Sequence, residues 1–176
     1  MRTRYKIFDS NAPYFVTFTT VEWIPIFTSE KYCDIIIDSF SFCREHKSTK
    51  VHAFVIMDNH LHVILSCSNL PGVVRDIKSF TARELIASIK SDNKTWLLNQ
   101  LEFYKGKSKT ESKYQLWQEG YHPEEIFSEK IFVQKAEYIH NNPLKRGLVR
   151  VPEHWKYSSA CNYIGATGVI DIDRLT

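Results

Sequence analysis

No apolar run in this chain approaches the roughly 18 residues that crossing a bilayer requires, and the basic opening MRTRYKIFDSNAPYF holds no continuous apolar segment of signal-peptide type. Together these absences predict no membrane association and a cytoplasmic location. The four cysteines, Cys33, Cys43, Cys67 and Cys161, form no C-x-x-C pair. Cys33 and Cys43 on one helix would stand about 15 Å apart, beyond disulfide reach, so reduced thiols are expected. Charge of one sign is also scarce. A net +3 excludes a strong overall field, so any dealing with polyanions must come from a local patch. No internal repeat is visible. With 176 residues, 43% of them hydrophobic, the chain suits a single domain, residues 1–176, with a real core.

PYFVTFTTVEW, from Pro13 to Trp23, is aromatic and β-branched with partial alternation, which predicts a first strand. Thr28 or Ser29 can cap a helix in which Tyr32, Ile35, Ile36, Phe40 and Cys43 recur at helical spacing. KVHAFVIMDNHLHVILSC gives two apolar runs around Asp58 and Asn59, hence a β-hairpin. Pro71 and Gly72 then punctuate the chain before a second helix, about 73–90. The polar, lysine-rich YKGKSKTESKY, at about 104–114, predicts a mobile loop. After it YQLWQEGYHPEEIF is expected to be extended. Ser128 can cap a third helix that runs to about Asn142, where Pro143 discourages continuation and Gly147 completes the turn. The aromatic HWKYSSACNYIG is expected to pack on the body. The order β, α, β, β, α, β, α predicts an α+β fold: an antiparallel or mixed sheet of ferredoxin-like type with packed helices.

The chemistry concentrates in MDNHLHVIL. Side chains alternate along a strand, so His60 and His62 share one face while Leu61, Val63 and Leu65 take the other. Two neutral imidazoles side by side can chelate a divalent cation, although an ordinary half-buried strand also accommodates such a pair. On the third predicted helix Phe132, Ala136 and Ile139 line one face, whereas Tyr138 and Asn142 fall away from it and stack one turn apart. A phenol there is a weak nucleophile until a base, a metal or a hydrogen-bond network assists it.

MDNHLHVIL, followed by AEYIHNNPLKRGLV, resembles the REP-associated tyrosine transposases, a branch of the single-tyrosine HUH endonuclease superfamily named for its His-hydrophobic-His motif. The resemblance extends in order through PYFVTFTT, VVRDIKSFTARE, LWQEGYH and WKYSS, and so covers nearly the whole chain. One departure is Asp58, where the family usually has proline, a change expected to act on turn geometry. The resemblance implies that His60 and His62 are metal ligands, that Asn142 is a third ligand, and that Tyr138 is the nucleophile. An amide oxygen in the ligand set suits Mg²⁺ or Mn²⁺. The implied reaction is transesterification on single-stranded DNA through a 5′-phosphotyrosine link, which lets one site nick and rejoin.

The resemblance also implies a hairpin DNA partner of palindromic REP type with an adjacent single strand, a location on the bacterial nucleoid, and a possible homodimer. Candidate DNA contacts are Arg75, Lys78, Arg83 and Lys90 in one arc of the second helix, the loop lysines Lys105, Lys107 and Lys109, the terminal Arg2, Arg4 and Lys6, and His122. Trp117 and Tyr121 could stack on bases, though core packing suits Trp117 better. A water-activating metal hydrolase is disfavoured because the barrels that commonly carry His-x-His need about 250 residues. The alternative within the family is a domesticated hairpin-binding protein that no longer cuts. Its signature would be loss of a histidine or of the tyrosine, and all three are present.

Overall fold

Alternating side chains build a sheet that is buried on both faces. In the computed structural model, which describes residues 12–106 and 112–175, β1 (Tyr14–Thr19) is followed by α1 (Glu30–His46), β2 (Lys50–Ile56), β3 (His60–Ser66), α2 (Leu70–Ser91), α3 (Thr95–Phe103), β4 (Glu124–Glu125), α4 (Glu129–Lys145) and α5 (Ala160–Tyr163). The strands lie in the order β2-β3-β1-β4 with every neighbouring pair antiparallel. This is the expected ferredoxin-like α+β arrangement. Among the described residues no helix is long and apolar enough to cross a membrane.

Odd and even positions sort to two cores. Tyr14, Val16, Phe18, Leu61, Val63, Leu65, Phe54 and Ile56 face α1 and α2. Phe15, Ala53, Val55, Met57 and Ile64 face α4, which contributes Phe132, Ala136 and Ile139. Each fully buried side chain of this size contributes about 1.5–3 kcal/mol. A register shift between Val51 and Ala53 places His52 at a bulge, where the alternation changes phase: Val51 faces α1 and α2, whereas Ala53 faces α4.

The β2 edge of the sheet is covered, and the part of β1 that β4 does not reach is paired as well. On the β2 side, the Phe54 amide donates to Ser159 Oγ (2.9 Å), the Ile56 amide to the Tyr157 carbonyl (2.9 Å) and Trp155 Nε1 to the Ile56 carbonyl (2.9 Å). The aromatic tail therefore packs on the body as expected. Further along, the Asp173 amide donates to the Val51 carbonyl (2.8 Å), and the Val51 amide donates to Asp173 Oδ2 (2.9 Å). On the β1 side, the Gln118 amide donates to the Thr19 carbonyl (2.8 Å).

Several boundaries differ from expectation. Helix α2 begins at Leu70, because Asn69 Oδ1 caps the Gly72 amide (3.1 Å) and Pro71 fits the first turn, where no amide hydrogen is needed. Helix α3 was not expected. The predicted extended stretch after it forms a strand only at Glu124–Glu125, with an isolated bridge between Thr20 and Trp117. Helix α4 does not stop before Pro143 but continues to Lys145. Pro143 is buried, and its packing on the sheet side offsets the amide donor it lacks. Of the lysine-rich loop, residues 107–111, with Lys107 and Lys109, lie outside the described residues, as do Arg2, Arg4 and Lys6.

Candidate active site

His60 opens β3 and His62 follows two residues on, both pointing to the α4 side of the sheet. Their ring centroids are 4.9 Å apart, and they are 9% and 6% exposed. Across β1 the register sets Thr17 opposite His62, and Thr17 Oγ1 lies 2.8 Å from His62 Nδ1. Phe15, one pleat along, stacks on the same imidazole at 5.3 Å. His60 Nδ1 lies 2.7 Å from Asn59 Oδ1, while Asn59 Nδ2 donates to the Trp23 carbonyl (3.2 Å). Since that amide already spends its nitrogen on a carbonyl, its oxygen faces His60, and Nδ1 of His60 must carry the proton. The Nε2 lone pair of His60 is left as a base or ligand.

Electrostatics keep the pair neutral. Burial, reinforced by the Arg146 guanidinium, pushes the His60 imidazole below its ordinary value. Burial, then His60, then Lys135 push His62 down to about 3. Neutral imidazoles are what a divalent cation needs. Among the described residues no group of three or more His, Cys, Asp or Glu side chains converges on a metal position. The donor chemistry of His60 and His62 fits a divalent ion, with its remaining ligands coming from a neutral side chain, water or a phosphate.

Helix α4 brings Tyr138 to this pair. Its ring meets His62 edge-on with centroids 5.2 Å apart and Phe15 at 6.0 Å, and it is 42% exposed. The phenol is thus packed on one side and open to solvent on the other. Lys145 Nζ lies 5.5 Å from the centre of the Tyr138 ring, and a groove of about 260 Å³ runs past Gln134, Glu137, Tyr138, Asn141 and Lys145. Asn142 is half-buried one helical turn beyond Tyr138, inside the helix despite the following proline. Three ties hold α4 in place. Lys135 pairs with Glu124 (2.5 Å), His140 Nε2 meets Ser159 Oγ (2.8 Å), and Arg146 reaches both oxygens of Asp58 at 2.6 and 3.3 Å. The last tie joins the end of the tyrosine helix to the turn from which His60 emerges.

The candidate DNA contacts stand elsewhere. Helix α2 packs on the opposite face of the sheet, where Arg75 is exposed beside Asp76 (3.1 Å) and Arg83 beside Glu84 (2.9 Å). Lys90 Nζ lies 5.2 Å from the Tyr114 ring centre. Lys78, expected as a DNA contact, donates to the Gln118 and Gly120 carbonyls at 2.8 and 2.6 Å and fastens that segment to α2. An open groove of about 690 Å³ runs between α2 and residues 112–120. Trp117 is buried, its Nε1 donating to Thr81 Oγ1 (3.0 Å), so core packing accounts for it. His122 is exposed on the segment leading into β4.

The sequence reading missed Thr17, the second role of Asn59, and Trp23 beside His60. Only the strand register could have exposed the first.

No protein-family model matches the chain. A protein of uncharacterised function from Haemophilus influenzae is 29% identical over 108 residues, covering 54% of this chain, which spans about half (54%) of that relative's length. The solved structure of a REP-associated tyrosine transposase bound to a REP hairpin matches with a TM-score of 0.65, covering 100% of this chain and 99% of that one at 17% identity. From end to end, then, this chain has the fold of a REP-associated tyrosine transposase.

Proposed function

We propose that the protein is a divalent-metal-dependent endonuclease and strand transferase, acting as a transposase on single-stranded DNA beside a hairpin. The observation that carries this reading is the packing of the half-exposed Tyr138 ring against the buried, neutral imidazole pair. His60 and His62 would hold the ion, with Asn142 as the third protein ligand. A bound Mg²⁺ or Mn²⁺ would polarise the phosphate and offset the charge that grows on its oxygens.

In the cleavage step the Tyr138 oxygen attacks a backbone phosphorus. The phenol gives up its proton, an O–P bond forms to tyrosine, and the bond from phosphorus to the 3′ oxygen breaks. That oxygen leaves with a proton as a 3′-hydroxyl. The phosphate stays esterified, so another 3′-hydroxyl can run the step backwards and join strands without ATP. Lys145 Nζ, over the Tyr138 ring at 5.5 Å from its centre, would bring positive charge near the phosphate. Arg75, Arg83 and Lys90 would grip the duplex part through its phosphates, with His122 near the strand leading to β4. Lys78 serves by shaping the groove. Such contacts make binding fall steeply with salt.

The test incubates the protein with labelled single-stranded hairpin oligonucleotides and Mn²⁺. A denaturation-resistant adduct mapping to Tyr138 by mass spectrometry is expected, and Tyr138→Phe should abolish it while leaving DNA binding. Persistent nicking by that variant would remove Tyr138 from its role. Tight hairpin binding with no adduct from the wild type would instead identify a non-cleaving binding protein.

A further inference from the structure

After β1 the chain makes a tight turn, Val21–Trp23, in which two consecutive non-glycine residues adopt left-handed backbone: Glu22 at φ 47° and Trp23 at φ 56°. Side chains disfavour this region, and such conformations persist where the surroundings over-determine them. Here they do. Thr20, fully buried, shares its single hydroxyl proton between the carbonyls of Ile24 and Asn59, each 2.8 Å from Oγ1. The Val21 amide donates to the Leu116 carbonyl (2.7 Å), and the Trp23 carbonyl receives Asn59 Nδ2 (3.2 Å). Val21, Ile24, Ile26 and Phe27 around the turn are buried.

The product of this bracing is an indole that does not join the core. Trp23 is 55% exposed, and its ring meets His60 at 5.7 Å between centroids. Trp23, His60, His62 and Tyr138 thus form a row of rings with successive spacings of 5.7, 4.9 and 5.2 Å. Trp96 makes a useful contrast. It is equally exposed, at 58%, but stands on the regular helix α3 with no backbone strain. A strained, rigidly held and exposed tryptophan at the rim of a site is a preorganised platform.

We propose that Trp23 is a stacking subsite for an unpaired nucleobase next to the scissile phosphate, braced by the strained turn and placed at the opposite end of the imidazole pair from Tyr138. This rests on the single-strand reading of the site and adds a residue that fixes which phosphate comes before the tyrosine. A phosphate centred on the imidazole pair has one flanking nucleoside towards Tyr138 and the other towards Trp23. Stacking on an indole suits any base, so the subsite would position the strand and add affinity without selecting sequence strongly.

The test is equilibrium binding of a ten-nucleotide oligothymidylate at low salt, in the Tyr138→Phe background so that no cleavage intervenes. Stacking is worth about 1–3 kcal/mol per base, or roughly a 5- to 150-fold change in affinity. Trp23→Ala should weaken binding by that factor, Trp23→Phe should restore part of it, and Trp23→Leu, apolar but without a π face, should not. Oligonucleotide-induced quenching of tryptophan fluorescence should largely vanish in Trp23→Phe and survive in Trp96→Phe. Mn²⁺ affinity should be unchanged in Trp23→Ala, which a mere shield over His60 would not give. Unaltered DNA affinity in Trp23→Ala, or full rescue by leucine, overturns the subsite and leaves the nuclease reading standing. Trp23-dependent binding with no adduct from the wild-type protein sinks the nuclease reading and leaves Trp23 as the base-stacking residue of a non-cleaving binding protein. Failure of the Tyr138→Phe protein, with Trp23 intact, to bind single strands sinks both.

Discussion

Because the Asn59 amide is oriented by the Trp23 carbonyl, the proton of His60 is fixed on Nδ1, and Thr17 holds the corresponding nitrogen of His62. Partners of this kind set ring orientation and ligand basicity, and removing one weakens metal affinity by about 10- to 100-fold. Asn59→Ala and Thr17→Val should each lower Mn²⁺ affinity within that range in isothermal titration calorimetry while the fold stays intact. Unchanged affinity in both would remove the imidazole pair from metal binding. The pairing of His60 and His62 on one face was legible from the sequence, because a two-residue period is rigid. Thr17 was not, since its partner is set by which strand lies alongside.

Among the elements, the helix carrying Tyr138 depends on how it is tethered. Arg146 and Asp58 are only partly exposed, at 42% and 37%, and such a pair adds no more than about 1 kcal/mol of stability. Its effect on geometry is larger, because it joins the last turn of α4 to the loop that launches His60. Misplacing a reacting group by about 1 Å can cost on the order of 100-fold in rate. Asp58→Ala should slow single-turnover adduct formation by about 10- to 100-fold with DNA affinity retained. The double variant with Arg146→Ala should be no slower than the worse single, and additive losses would show that the two act separately. Asp58, expected from the sequence to act on turn geometry, thus also ties the turn to the helix that carries Tyr138. Strands β1 to β3 and helices α1, α2 and α4 were legible because their apolar spacing is regular. Helix α3 was hidden because Trp96 and Phe103 are exposed while Leu97 and Leu101 are buried, and Lys94 offers no side-chain cap. The end of α4 was misplaced because burial on the sheet outweighs the local preference of Asn142 and Pro143.

For the molecule as a whole, acid is the weak side. His52 is buried between the Asp173 carbonyl (2.6 Å) and Ser66 Oγ (2.8 Å), and burial is the main cause that lowers it from the usual 6.5. Below that value the unfolded chain binds a proton that the folded chain refuses until lower pH, so stability is lost as pH falls through this window. His60, His62 and His140 are shifted the same way. Thermal unfolding of the metal-free protein should therefore fall in midpoint from about pH 7.5 to about pH 5, and His52→Gln should make the slope shallower. An identical slope would mean that His52 takes up no proton on unfolding.

The tether between Arg146 and Asp58 spans 88 positions of chain. Closing so long a separation is slow relative to forming a hairpin, and it is rewarded only after the intervening helices have packed. During synthesis the imidazoles leave the ribosome well ahead of the tyrosine. A nascent or partly folded chain that has formed β3 but not yet docked α4 therefore presents the two imidazoles without the phenol of Tyr138 beside them.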